Sequence, residues 1–125
     1  MPKFDLETTY LSLDGQGRVA AHPVDDQFWA TVETNTDLLA NLVGVYPGDA
    51  DWPHWEMHPD GEEILVLLDG RMTMILDEAG VERRVELAPG STLVVPRGVW
   101  HRALMSEPSR LLAITYGQGT QHRPA

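Results

Sequence analysis

Turn chemistry recurs along most of this chain at intervals of roughly ten residues, which leaves room only for short strands. Asp14-Gly15, Pro47-Gly48, Asp60-Gly61, Asp69-Gly70, Pro89-Gly90 and Arg97-Gly98 each put a glycine where the backbone can reverse. Between them lie runs rich in Val, Leu, Ile, Thr and Met. Residues 71–76, 81–87, 91–95 and 110–116 alternate apolar and polar side chains, the period of a half-buried strand. An all-β domain is expected, either an antiparallel sandwich or a barrel. Asp69-Gly70 reads as a two-residue hairpin turn. Residues 36–43 suit a short helix capped by Thr36 and Gly44, or a strand running on to Tyr46; the strand agrees better with its neighbours. Residues 28–32 also read as a strand, and Gly15-Gln16-Gly17 as a turn. The 125 residues suit one domain overall. Within it, residues 1–35 are expected to supply N-terminal strands and residues 36–125 the barrel.

Charge and cysteine content exclude several classes of function. The formal net charge is −10 and Lys3 is the sole lysine, so phosphate backbones and anionic membranes are unfavourable partners. The longest apolar run, Ile64 to Leu68, is far short of the roughly 20 residues that a membrane-spanning helix needs. The start, Met1-Pro2-Lys3-Phe4-Asp5, is too polar for a secretory signal, and a cytoplasmic location is expected. With no cysteine there is no disulfide, no thiolate nucleophile and no iron–sulfur cluster. A bound metal would have nitrogen and oxygen ligands, which suits manganese, iron, nickel, cobalt or zinc better than copper.

Chemistry concentrates in three pieces of chain. In residues 52–58, WPHWEMH, a strand places His54, Glu56 and His58 on one face and Trp55 and Met57 on the other. Residues two apart on a strand are separated by about 6.6 Å and residues four apart by about 13 Å. Metal–ligand bonds are about 2.0–2.2 Å long. Glu56 and His58 therefore suit one ion, whereas His54 and His58 do not. His54 is left to line the pocket, where it is the expected general acid or base. In residues 62–68, parity puts Glu63 on the interior face with Leu65 and Leu67, although the face that Glu62 shares with Ile64 and Val66 is also apolar. In residues 90–101 a buried strand ends at Pro96, turns at Gly98 and delivers His101 to the start of the next strand.

A single buried histidine is better explained as a core residue paired with a carboxylate; two at these spacings, with Glu63 between them, favour metal ligation. Glu56 either completes the set or hydrogen-bonds a ligating histidine. His22 and His122 are expected at the surface. Trp29, Trp52, Trp55 and Trp100, like Met72, Met74 and Met105, suit packing better than substrate contact.

The run from Glu56 to Gly70, EMHPDGEEILVLLDG, resembles the first motif of the cupin superfamily. In that motif a ligand, one spacer, a histidine, four spacers, a glutamate and six spacers precede a glycine; Glu56, His58, Glu63 and Gly70 fill those places. The run GSTLVVPRGVWH resembles the second motif, with Gly90, Pro96, Gly98 and His101 in place. The short stretch between them, residues 71–89, is typical of bacterial cupins, and WEMHP and GQGTQHRP are similar to strings in small stand-alone members. The resemblance implies a double-stranded β-helix, or jelly roll, with one divalent ion inside the barrel held by Glu56, His58, Glu63 and His101. Two places depart from the pattern. Glu56 stands where histidine is usual, and Met105 stands where asparagine is frequent. Two glutamates bring a divalent centre close to neutral, which weakens it as a Lewis acid.

Cupins include dioxygenases, isomerases, lyases, decarboxylases, storage proteins and sensory domains, so fold is better specified than activity. Two functions are expected from the resemblance. One is a metal-dependent oxygenase, isomerase or lyase acting on a small organic molecule; the alternative is a non-catalytic module that senses a small ligand or a metal. Many small cupins pair through edge strands, sometimes exchanging N-terminal segments, and a homodimer involving residues 1–35 is expected by that analogy.

Overall fold

Every alternating run becomes a strand in the computed structural model, which describes residues 3–125; Met1 and Pro2, part of the polar start, lie outside them. The strands are β1 (Thr9–Leu13), β2 (Val19–Pro23), β3 (Asn41–Gly48), β4 (His54–Met57), β5 (Glu63–Asp69) and β6 (Met72–Glu78). They continue with β7 (Val81–Leu87), β8 (Thr92–Val95), β9 (Trp100–Met105), β10 (Ser109–Tyr116) and β11 (Gln121–Pro124). One antiparallel sheet has the order β2-β1-β3-β10-β5-β8 and the other β11-β4-β9-β6-β7. From β3 onward the chain changes sheet at every connection except β6–β7, which gives the all-β jelly roll.

Period-two burial builds the interior. In β5, Glu63, Leu65 and Leu67 are buried while Ile64 is exposed. Met72, Met74 and Leu76 of β6 meet them from the other sheet, with Leu87, Val95, Ala103, Leu111 and Ala113 completing the core. Each fully buried Leu or Met side chain contributes about 1.5–3 kcal/mol relative to an exposed one. Among the described residues no helix is long and apolar enough to cross a membrane.

Four local expectations are corrected. Asp69-Gly70 is not a hairpin: β5 pairs with β10 and β8, whereas β6 pairs with β7 and β9, so this glycine carries the chain from one sheet to the other. The two-residue hairpin lies at Ala79-Gly80, with φ of 56° and 87°, where Asp77 Oδ1 accepts the Gly80 N–H at 2.8 Å. Pro47-Gly48 is not a reversal either, because both residues belong to β3, paired with Arg110 and Ser109.

Residues 28–32 are not a strand. A 3-10 helix occupies Trp29–Thr34, opened by Asp25, whose carboxylate accepts the Gln27 N–H and whose carbonyl accepts the Phe28 N–H. Phe28 is buried and Val32 partly so, and their four-residue separation is a helical spacing. The strand expected from Thr36 begins at Asn41 instead, because Asn35 folds the chain into a turn by accepting the N–H groups of Asp37 and Leu38.

Candidate metal centre

Backbone pairing brings the two motifs together. Glu56 of β4 stands directly opposite His101 of β9, and the next residue across from His101 is Leu76 of β6. His58 follows the end of β4, and its carbonyl accepts the Gly98 N–H at 2.9 Å, which ties it to the Pro96–Gly98 turn. Glu63 begins β5 in the facing sheet, between Val95 and Thr115. These connections converge Glu56, His58, Glu63 and His101, whose ligand atoms all lie within 4.8 Å of one another.

The separations fit one ion. His101 Nε2 lies 3.0 Å from Glu63 Oε1 and 3.7 Å from Glu56 Oε2. His58 Nε2 lies 3.2 Å from Glu63 Oε2 and 3.8 Å from Glu56 Oε2. Ligands bonded at about 2.1 Å are about 3.0 Å apart at right angles and about 3.4 Å apart in a tetrahedron. Direction supports the same conclusion. His58 Nε2, His101 Nε2 and Glu63 Oε1 are buried without a hydrogen-bond partner, although oxygens or nitrogens lie close enough. Three orphaned polar atoms around one point are costly unless a cation satisfies them.

Hydrogen bonds on the far side of each ring fix which nitrogen faces the centre. His101 Nδ1 is 3.2 Å from the Val99 carbonyl, which only accepts, so Nδ1 carries the proton. The Thr120 hydroxyl donates to the Gly117 carbonyl at 2.9 Å and therefore accepts from His58 Nδ1 at 2.8 Å. Both rings turn an Nε2 lone pair inward, as metal-binding imidazoles do. The Thr115 hydroxyl donates to Glu63 Oε2 at 2.5 Å.

The electrostatics favour positive charge at this point. Burial raises the Glu63 carboxyl, but the His101 and His58 rings beside it override that and hold it at about 2. Burial likewise opposes ionisation of Glu56, yet the same rings hold it below its ordinary range. Burial lowers the His101 imidazole, and Glu56 and Glu63 more than reverse this, pushing it up to about 9. Without a metal, a proton is the cation that answers the two carboxylates.

His54 does not join this group. It is exposed, its ring edge-on to His122 with centroids 4.8 Å apart. A shallow concavity of about 430 Å³ there is lined by Pro53, His54, His122, Arg123 and Pro124. His122 itself is exposed, as expected, but its Nε2 lies 3.3 Å from Glu56 Oε1, a contact that sequence reasoning missed. The spacing after His101 gives no hint of it, because it depends on β11 pairing with β4.

His22 is a correction: it is buried, with Nε2 2.7 Å from the Ser12 hydroxyl, because β1–β2 pairing turns it inward beside Tyr10. Burial lowers its imidazole against the opposing pull of Asp37. Met72 and Met74 pack in the core as expected. Trp52 lies edge-on to the His101 ring at 5.9 Å.

Residues 41–115 match the family model for the cupin domain, well over half of the chain. The chain belongs to the cupin family. No curated protein matches this cupin. Among solved structures it is similar to a cupin-2 domain protein from Shewanella frigidimarina NCIMB 400, at 18% identity and a TM-score of 0.54, covering 62% of this chain and 71% of that one. It is also similar to Fe(II)-HppE with the alternative substrate (S)-1-HPP, at 19% identity and a TM-score of 0.53, covering 62% and 43%. A third is Bacillus subtilis oxalate decarboxylase, described with Mn(II) centres, at 16% identity and a TM-score of 0.56, covering 68% and 24%. This cupin thus spans less than half the length of the last two. The likenesses support the fold.

Proposed function

We propose that this cupin holds one divalent metal ion with Glu56, His58, Glu63 and His101 and acts on a small organic molecule at the barrel mouth. The observation that carries the proposal is the convergence of orphaned Nε2 and carboxylate atoms in the interior. Manganese, iron, nickel, cobalt and zinc all suit two imidazoles and two carboxylates, and the Fe(II) and Mn(II) of two similar structures support the first two. The ion would supply Lewis-acid or one-electron chemistry, of the oxygenase, isomerase or lyase type.

The chain's own residues divide the remaining work. His58 and His101 present lone pairs fixed by their Nδ1 contacts, and Glu63 is held ionised between Thr115 and the two rings. Glu56 is the ligand that reaches solvent, with its side chain 25% exposed against 5% or less for the other three, so a substrate approaches from its side. His54, on that side, is the proposed general acid or base.

A non-catalytic sensing module is the second reading, favoured by the burial of three ligands and the near-neutral centre that two glutamates give. A homodimer through residues 1–35 and a cytoplasmic location, without nucleic-acid or membrane partners, complete the proposal; the acidic charge of −10 supports the last point.

Elemental analysis of protein purified without chelators tests the metal claim. One equivalent of a transition metal is expected, with loss in His58→Ala and His101→Ala. A wild-type protein that stays metal-free after reconstitution with Mn(II), Fe(II), Co(II), Ni(II) and Zn(II) overturns it.

A further inference from the structure

Glu56 is shared between two sides. Its Oε2 faces the His58 and His101 rings at 3.8 and 3.7 Å, while its Oε1 lies 3.3 Å from His122 Nε2. The arrangement follows from register: His122 of β11, Glu56 of β4 and His101 of β9 stand directly across from one another, so all three side chains point to the same face of the sheet. The final strand is also anchored. Arg123, one residue on and on the opposite face, pairs with Asp77 at 2.6 Å and lies over the Trp55 and Trp100 rings at 5.2 and 4.5 Å. Just before the strand, Thr120 holds His58 Nδ1. The C-terminal segment thus touches two of the four converging residues from outside.

We propose that His122 is a positioning residue of the metal centre. Its Nε2, 3.3 Å from Glu56 Oε1, would hold that oxygen, so that Glu56 ligates through Oε2 alone and leaves its solvent side open. This inference rests on the metal reading above. A carboxylate released from such a partner swings both oxygens toward the ion, which changes the coordination number. His122 fits the role because it stands at the single ligand that solvent reaches, where the choice between one oxygen and two decides whether a small molecule has a place to bind.

Co(II) is the probe, because the intensity and position of its visible absorption report coordination number independently of any activity. Wild-type protein, His122→Ala, His122→Gln and Gln121→Ala are titrated with Co(II), and metal-free melting temperatures are measured alongside. The expected result for His122→Ala is a weaker visible band and about a tenfold loss of Co(II) affinity, within the range seen when such partners are removed. His122→Gln, which keeps a side-chain N–H donor, recovers most of both, and Gln121→Ala resembles wild type. A wild-type spectrum and affinity in His122→Ala overturn the inference, as does a Gln variant as impaired as the Ala variant. Failure of the wild-type protein to bind Co(II) at all overturns the metal reading itself, which keeps the two failures distinct.

Discussion

Thr115 stands directly across from Glu63 in the β5–β10 pair, and its hydroxyl donates to Glu63 Oε2 at 2.5 Å. The other Glu63 oxygen has no hydrogen-bond partner. Thr115→Val keeps the shape of the side chain and removes the donor, leaving a buried carboxylate with neither oxygen hydrogen-bonded. A loss of about 1–3 kcal/mol is expected in the metal-free protein by urea unfolding. Metal affinity falls roughly tenfold. Wild-type values for both would show that this hydroxyl neither steadies Glu63 nor matters to the centre.

Stability of the metal-free protein has a defined pH profile. His101 is raised from its ordinary 6.5 to about 9, so its contribution is full below pH 6.5 and disappears as pH rises through 9. Glu63 is lowered from 4.5 to about 2, so its contribution is full above pH 4.5 and disappears as pH falls through 2. Both shifts arise from the same contact and count once. The melting temperature of chelated protein is expected to fall on raising the pH from 6.5 to 9, and again on lowering it below 4.5. A melting temperature that climbs between pH 6.5 and 9 contradicts this.

Removing the metal lowers stability by mass action. At free metal 100-fold above its dissociation constant, the bound state gains about 2.7 kcal/mol over the chelated one. Thermal unfolding with and without a chelator should show a higher melting temperature for the loaded protein, and the difference should vanish in His101→Ala. Equal shifts in wild type and His101→Ala would place the stabilising ion elsewhere.

Gly70 has φ of 93° and its α-carbon faces Pro108 and Ser109, so an added methyl group meets backbone as well as side chain. Gly70→Ala is expected to cost at least about 1–2 kcal/mol from the left-handed conformation alone. Gly90, also at positive φ but with open space around it, isolates the conformational part when replaced by Ala. Denaturant unfolding should rank Gly70→Ala as the less stable of the two; the reverse order would refute the crowding.

Much of the centre was legible because its residues lie in two short stretches with fixed local geometry. Strand parity selects Glu63 over Glu62, and Glu63 is buried while Glu62 is exposed. Reach along a strand separates His54 from His58, and the converging group is Glu56, His58, Glu63 and His101 without His54. What was not legible depends on pairings between distant segments. Nothing near Thr115, Thr120 or His122 shows that β10 will lie beside Glu63 or β11 beside Glu56. His22 reads as a surface residue until β1 pairs with β2 and supplies Ser12. Residues 28–32 and 36–40 depart from the expected strands because side-chain turns at Asp25 and Asn35 compete locally with an extended chain. Asp69-Gly70 has hairpin chemistry, but a strand that changes sheet uses the same positive φ.

The most direct test is anomalous diffraction from crystals grown with Mn(II) or Co(II) and collected at the metal's absorption edge. One strong peak is expected inside the barrel, about 2.0–2.2 Å from His58 Nε2 and His101 Nε2 and in bonding contact with Glu63 and Glu56. A barrel interior without a peak at full metal loading, or a peak confined to His54 and the surface, would contradict the assignment of these four residues.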